Sequence, residues 1–287
     1  MTLDVLKISA FCDGNQGGNP AGVWIGDNLP EAAEMQRIAH EVGFSETVFA
    51  CPQDDGWRVR YFAPESEVAF CGHATIALGA ALSLALGDGE FHLTLNNGDI
   101  SVSGRSEGDL IEAALQSPPT RSAPANDALV DAGLTLFGYT RNDLDPSIPP
   151  AIIHAGISHL VLALDSRAKL SQMHYELEAG RRYMTDAGLG TVVLVFAESP
   201  TLFHTRNPFA VGGVYEDPAT GAATAATGAA TAAFAGYLRD LGWPHSGCIN
   251  IIQGEDMGSR SRLQAQITDE KGASIRVSGT ARLMLED

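Results

Sequence analysis

Two Ala-rich apolar stretches, Ala74–Leu86 and Ala219–Leu238, constrain this chain more than any other feature. A helix that is apolar on every face has to be enclosed by other structure. Each stretch is entered through a short Gly-containing motif, Cys71-Gly72-His73-Ala74-Thr75 and Asp217-Pro218-Ala219-Thr220-Gly221, and the two motifs stand 146 residues apart in a chain of 287. A second echo has nearly the same spacing: Glu46-Thr47-Val48-Phe49-Ala50 against Val193-Leu194-Val195-Phe196-Ala197, offset by 147. A period of about half the chain predicts two copies of one supersecondary unit.

The elements expected around these landmarks run in the same order. Before the first apolar stretch come strands over Val5–Phe11 and Gly22–Ile25, an amphipathic helix over Glu31–Glu41, and strands over Thr47–Cys51 and Trp57–Phe62. Before the second come strands over Ile152–Ile153 and His159–Ala163, a helical stretch over Ser171–Met184, and strands over Thr191–Phe196 and Leu202–Thr205. Alternating runs such as Trp57-Arg58-Val59-Arg60-Tyr61-Phe62 carry the period of two that marks a half-buried strand. The expectation is an α+β protein of two similar units, each wrapping a sheet around an apolar helix. The polar, Pro-containing segment Gln116-Ser117-Pro118-Pro119-Thr120 reads as the connector. The units expected are residues 1–117, completed by a C-terminal strand over 278–287, and residues 118–277.

Hydrophobic residues make up 45% of the chain, enough to offset the entropy of ordering it. With 18 Lys+Arg against 35 Asp+Glu the net charge is −17, which argues against nucleic acid as a partner. The first apolar stretch is too short to cross a bilayer and the second only weakly hydrophobic, so no membrane association is expected. The N-terminal sequence lacks a basic segment followed by a long apolar one, so no secretory signal is expected. Four scattered cysteines, Cys12, Cys51, Cys71 and Cys248, lack metal-ligand or redox spacing and fit free thiols in the cytoplasm.

The chemistry concentrates where the apolar helices begin. Backbone N–H groups at a helix start lack intrahelical partners and, with the helix dipole, attract a carboxylate or phosphate. Gly72 and Gly221 permit close backbone approach. If the halves are related by a pseudo-two-fold, a small acid between them meets His73 from one side and Asp217 from the other. Taken singly, each residue has an ordinary alternative. Asp217 before Pro218 makes a good N-cap, His73 suits a polar niche, and Cys71 suits a buried small apolar position. Glu46 reads as a surface carboxylate unless an apolar cleft holds it, in which case its pKa rises and it can take and return a proton. The loop Gly14-Asn15-Gln16-Gly17-Gly18-Asn19-Pro20-Ala21-Gly22 is not a nucleotide fingerprint, but it can place amides and the Asn19 side chain beside a ligand.

Taken in order, these motifs resemble the PhzF-like family of phenazine-biosynthesis isomerase-like proteins, which share the diaminopimelate epimerase fold. The segments that carry the resemblance are Gly18-Asn19-Pro20-Ala21-Gly22-Val23, Gly43-Phe44-Ser45-Glu46-Thr47, Phe70-Cys71-Gly72-His73-Ala74-Thr75 and Glu216-Asp217-Pro218-Ala219-Thr220-Gly221. Gln253-Gly254-Glu255-Asp256-Met257-Gly258 and Val277-Ser278-Gly279-Thr280-Ala281 close the series. The resemblance implies two pseudo-symmetric domains, each a curved, barrel-like sheet around a central helix, with the site between them. It also implies a homodimer with neither metal nor cofactor. It assigns proton transfer to Glu46, orientation and polarisation of the substrate to His73 and Asp217, and substrate contacts to Asn19, Cys71, Gly72, Thr220, Gly221 and Ala222.

Three departures stand out. Ala222 replaces a serine of the phenazine-pathway isomerases and so removes one hydroxyl from the site. Asp217 occupies the position of the second epimerase thiol, which excludes a Cys–Cys two-base racemisation. Gly258-Ser259-Arg260-Ser261 replaces the usual Gly-Arg-Pro-Ser, leaving open whether Arg260 reaches the substrate. The expected activity is a cofactor-independent shift of a proton or double bond in a small carboxylated metabolite. The alternatives are an epimerase using Cys71 with Asp217 or Glu46 as the opposing base, and a non-catalytic small-acid binding protein.

Overall fold

The computed structural model describes residues 5–96, 98–216 and 226–284. Strands β1 (Leu6–Cys12) and β2 (Asn19–Ile25) form a hairpin, and helix α1 (Ala32–Val42) crosses over to β3 (Thr47–Gln53), which lies parallel to β2. Strands β4 (Gly56–Phe62) and β5 (Glu67–Val68) then lead into the central helix α2 (Gly72–Leu86). After β6 (Gly89–Leu95), β7 (Gly98–Glu107) and β8 (Leu110–Gln116) comes β9 (Arg121–Pro124), followed by helix α3 (Asp127–Phe137). The order then repeats. A hairpin of β10 (Ala151–Ala155) and β11 (Ile157–Ala163) is followed by a crossover through α4 (Arg167–Ser171) and α5 (Leu177–Asp186). Strand β12 (Thr191–Ser199), parallel to β11, and strand β13 (Leu202–Arg206) precede α6 (Ala226–Leu241). Strands β14 (Cys248–Gln253), β15 (Ser261–Gln266) and β16 (Arg276–Leu283) complete the chain.

The first set of strands closes on itself. The pairing β1-β2-β3-β4-β6-β7-β8-β16 returns to β1, making a barrel around α2. The path continues from β16 through β15, β14, β13, β12, β11 and β10 to β9, and this second sheet curves around α6. Strand β16 belongs to both: Ser278 pairs with Ala114 of β8 on one side and Gln264 of β15 on the other. The chain is thus a mixed α+β fold in which two barrel-like sheets each enclose an apolar helix.

The side-chain alternation explains why. Val48, Ala50, Val193 and Val195 point into one continuous inner core that also takes in the buried residues of α2 and α6. Phe49 points outward beneath α1 with Trp24, Met35 and Phe62, and Phe196 packs outward against the cluster that α3 and α5 cover. Helix α2 buries residues around its whole circumference, from Gly72 to Ser83, which an enclosing sheet allows and an open surface does not. Each fully buried Leu or Ile there contributes roughly 1.5–3 kcal/mol. Helix α1 buries only Met35, Ile38 and Ala39, one stripe, and ends at Gly43 in the left-handed conformation (φ 70°).

One expectation needs correction. The helical stretch over Ser171–Met184 is two helices: α4 stops at Ser171, and Glu176 caps α5 by accepting the N–H groups of Glu178 and Ala179. Helix α3 was not foreseen. The expected start of the second apolar helix at Asp217, Thr220, Gly221 and Ala222 lies outside the described residues. None of the four cysteines forms a disulfide, and no described helix is long and apolar enough to cross a membrane.

Candidate active site

Strand β3 and helix α2 deliver three functional side chains to one buried point. Cys71, in extended conformation (φ −142°), precedes the first turn of α2, and His73 sits within it. That turn is secured by Thr75, whose hydroxyl donates to the Cys71 carbonyl (2.6 Å) and lies 2.7 Å from the Tyr61 hydroxyl. Glu46 immediately precedes β3, and its carbonyl accepts the N–H of Gly22 on the neighbouring strand (3.1 Å). The result places Glu46 Oε2 3.5 Å from His73 Nε2, with Cys71 Sγ 3.4 Å from His73 Nδ1. Glu46 is 0% exposed and His73 1%.

Burial pushes the His73 pKa down to about 3, so its imidazole is neutral at physiological pH. The contact with Glu46 is therefore a carboxyl group beside a neutral ring rather than an ion pair. A neutral imidazole carries one N–H and one lone pair, so His73 can present a hydrogen-bond donor toward developing negative charge without itself being an acid of ordinary strength. The Ser45 hydroxyl lies 3.2 Å from the same Nε2 and helps fix the ring. Nothing in the sequence singled out Ser45, although it adjoins Glu46. The first turn of α2 carries no acidic side chain, so its N–H groups and dipole remain suited to an anion.

Asn19 is buried where β2 begins. The turn before it depends on two glycines at positive φ, Gly17 (61°) and Gly18 (82°). A Cβ on Gly17 would stand 2.0 Å from the Arg260 carbonyl oxygen, and one on Gly18 would stand 2.5 Å from Ser9 Oγ. That carbonyl accepts the Gly18 N–H (3.2 Å), and Ser259 Oγ donates to the Gly18 carbonyl (3.2 Å). The segment around Arg260 thus contributes its backbone to the Asn19 loop, while the Arg260 guanidinium lies 3.3 Å from Asp13.

Oxygen, sulfur and nitrogen atoms of Glu46, Cys71 and His73 all lie within 4.8 Å of one another, a donor set that could hold a metal ion. A mainly apolar cavity of about 870 Å³ opens between the halves. Its described lining includes Phe70, next to Cys71, the connector residues Gln116 to Pro119, and Ile157, Gly190, Phe209 and Ala229 from the second half. The structure therefore brings Glu46, Cys71, Gly72 and His73 together. Asp217, Thr220, Gly221 and Ala222 are outside the described residues.

Comparison with known proteins agrees with this fold. A trans-2,3-dihydro-3-hydroxyanthranilate isomerase of Pseudomonas aeruginosa is 29% identical over 287 residues, covering 98% of this chain and 97% of that protein. An uncharacterized isomerase of Escherichia coli is 29% identical over 296 residues, covering 99% and 97%. Among solved structures, a Bacillus anthracis phenazine biosynthesis protein of the PhzF family superposes with a TM-score of 0.81 at 22% identity, over 98% of this chain and 96% of that one. A hydroxyproline epimerase from Agrobacterium vitis superposes with a TM-score of 0.61 at 11% identity, over 98% and 88%. The chain is an isomerase on these grounds. The model of the phenazine biosynthesis-like proteins matches residues 8–287, and the chain belongs to that family.

Proposed function

We propose that this isomerase moves a proton, and with it a double bond, within a small carboxylate-bearing metabolite without a cofactor. The observation that carries the proposal is the Glu46 carboxylate 3.5 Å from a neutral His73 imidazole, both sealed from solvent at the start of α2. Glu46 takes a proton from one carbon and returns it to another. The electron pair left behind is delocalised into the substrate's conjugated system, and His73 donates a hydrogen bond toward the oxygen that gains charge. The α2 amides at Gly72 hold the acid group, and Asp217 with Thr220, Gly221 and Ala222 completes the site from the second half. The relative's substrate, trans-2,3-dihydro-3-hydroxyanthranilate, is a member of this class and is the natural first probe. Homodimerisation and a cytoplasmic location belong to the same reading.

The test is ¹H NMR in D₂O with that acid and a panel of small cyclic and unsaturated acids. The expected result is an isomerised product with partial deuterium at the new C–H, since a proton carried by a sealed carboxylate can return before it exchanges. An acid that binds tightly but neither isomerises nor exchanges would instead identify a binding protein.

The thiol contact, 3.4 Å from Cys71 Sγ to His73 Nδ1, favours one alternative, an epimerase in which Cys71 is a base. The two differ in Cys71→Ala. With Glu46 as the base, kcat falls by less than about tenfold; a thiol base predicts a loss of about 10²–10⁴.

A further inference from the structure

Three kinds of metal-ligating group meet where β3 begins beside the first turn of α2: the Glu46 carboxyl, the Cys71 thiol and the His73 imidazole, all buried. One oxygen, the sulfur and one ring nitrogen lie within 4.8 Å of one another. In a tetrahedral zinc shell, with bonds of about 2.0–2.3 Å, neighbouring donor atoms stand roughly 3.3–3.6 Å apart. Glu46 Oε2 is 3.5 Å from His73 Nε2, and Cys71 Sγ is 3.4 Å from His73 Nδ1. A single ion takes one ring nitrogen, so one of these two contacts already spans an edge of such a shell. Side-chain rotations of roughly 1 Å then bring in the remaining donor.

The chemistry of the donors selects the cation. Magnesium and calcium take oxygen ligands, whereas a thiolate and an imidazole together suit zinc and its soft neighbours. Three protein donors leave the fourth tetrahedral position to a water or a substrate oxygen. The surroundings hold the donors in place. The Ser45 hydroxyl lies 3.2 Å from His73 Nε2, and the Thr75 hydroxyl donates to the Cys71 carbonyl (2.6 Å). Outer contacts of this kind keep metal ligands oriented. A way in exists as well: Phe70, the chain neighbour of Cys71, lines the cavity of about 870 Å³ between the halves.

We propose that Glu46, Cys71 and His73 form a site for a thiophilic divalent cation, zinc in the first instance, and that the bound ion switches the isomerase off. Binding exchanges the thiol proton for the metal: the Cys71 S–H bond breaks, an S–Zn bond forms, and the proton passes to the buffer. The ion also occupies the Glu46 oxygen lone pair that proton abstraction needs, so a molecule with zinc bound has lost its base. The inhibitory half of the proposal rests on the proposed function; the metal site itself does not.

Cobalt(II) is the first probe, because it substitutes for zinc in tetrahedral sites and reports a thiolate ligand by a sulfur-to-metal charge-transfer band in the near ultraviolet. Titrating the metal-free protein with cobalt chloride is expected to raise that band until one ion is bound per chain, and zinc chloride should then abolish it by displacement. Cys71→Ser should lose the band completely. Glu46→Gln should keep it but bind cobalt at least about tenfold more weakly, since losing even an outer-shell partner costs about 10–100-fold. Cys248 is only half-buried and serves as the control: Cys248→Ser should keep the band. X-ray absorption at the zinc edge of the wild-type protein should show a sulfur at about 2.3 Å with nitrogen and oxygen at about 2.0–2.2 Å, a readout that needs no variant to fold. Absence of the band, or a band that survives in Cys71→Ser, overturns the site. Turnover of trans-2,3-dihydro-3-hydroxyanthranilate is then followed with and without zinc. The expected loss at saturating zinc is about 10²–10⁴-fold, as for removal of a general base, with recovery on adding EDTA and no loss with magnesium. Zinc bound through Cys71 with turnover undiminished overturns the switch. If the metal-free protein turns over neither this acid nor the others of the panel while cobalt still binds with the sulfur band, the site stands, and the switch falls with the proposed function.

Discussion

Glu46→Gln is expected to lower kcat by about 10²–10⁴-fold, the range associated with losing a positioned general base, while leaving the fold intact. Glutamine matches glutamate in volume, so the inner wall around this fully buried position keeps its packing. What is lost is the basic lone pair 3.5 Å from His73 Nε2. Of its described neighbours, His73 is neutral with its pKa near 3 and Ser45 offers a hydroxyl that is far too weak a base, which leaves the Cys71 thiol as the rival. Glu46→Asp should fall between, because shortening the side chain by one methylene withdraws the carboxylate by about 1 Å, a shift worth up to about 10² in rate. The check is steady-state kinetics of both variants with circular dichroism melts. Turnover in folded Glu46→Gln within about tenfold of wild type would remove Glu46 from the mechanism and move the proton transfer to Cys71 or Asp217.

How far the sequence led depends on how local each signal was. Helix α2 was legible because its residues are apolar on every face, and Glu46, Cys71 and His73 could be nominated because each adjoins a recognisable boundary. Their mutual distances could not, since Glu46 and His73 are 27 residues apart and meet only when β3 closes over α2. The role of Arg260 was less legible still: the part that matters is a backbone carbonyl, which has no residue identity, and its partner Gly18 lies at the other end of the chain. The break between α4 and α5 has a tertiary cause too. The carbonyls of Ser171 and Met173 accept from Arg206, and Tyr175 turns its ring onto Tyr215, so these contacts rather than a helical ladder set the path of the chain there. No periodicity in Ser171–Met184 carries that information.

The second large effect is on stability: between pH 7 and pH 5 the fold is expected to lose roughly 4 kcal/mol through two imidazoles. Burial depresses the pKa of His73 and of His159 to about 3 each, against an unfolded value of about 6.5. From pH 6.5 down toward 3 the unfolded chain binds protons that the native chain refuses, so stability falls as pH falls, by roughly 2 kcal/mol per histidine at pH 5. His159 is fully buried, with Nδ1 2.6 Å from Thr191 Oγ1 and, among the described residues, no hydrogen-bond partner at Nε2. In His159→Asn the amide can occupy the Nδ1 position and keep the Thr191 contact while removing the titration. Urea unfolding at both pH values should therefore show the difference in unfolding free energy shrinking by about half in that variant. An unchanged difference would mean that His159 takes up its proton without unfolding. The same argument bears on activity. His73, with its pKa near 3, stays neutral between pH 7 and pH 5, so activity lost in that range beyond the loss of structure followed by circular dichroism does not come from a titration of His73 in the folded enzyme.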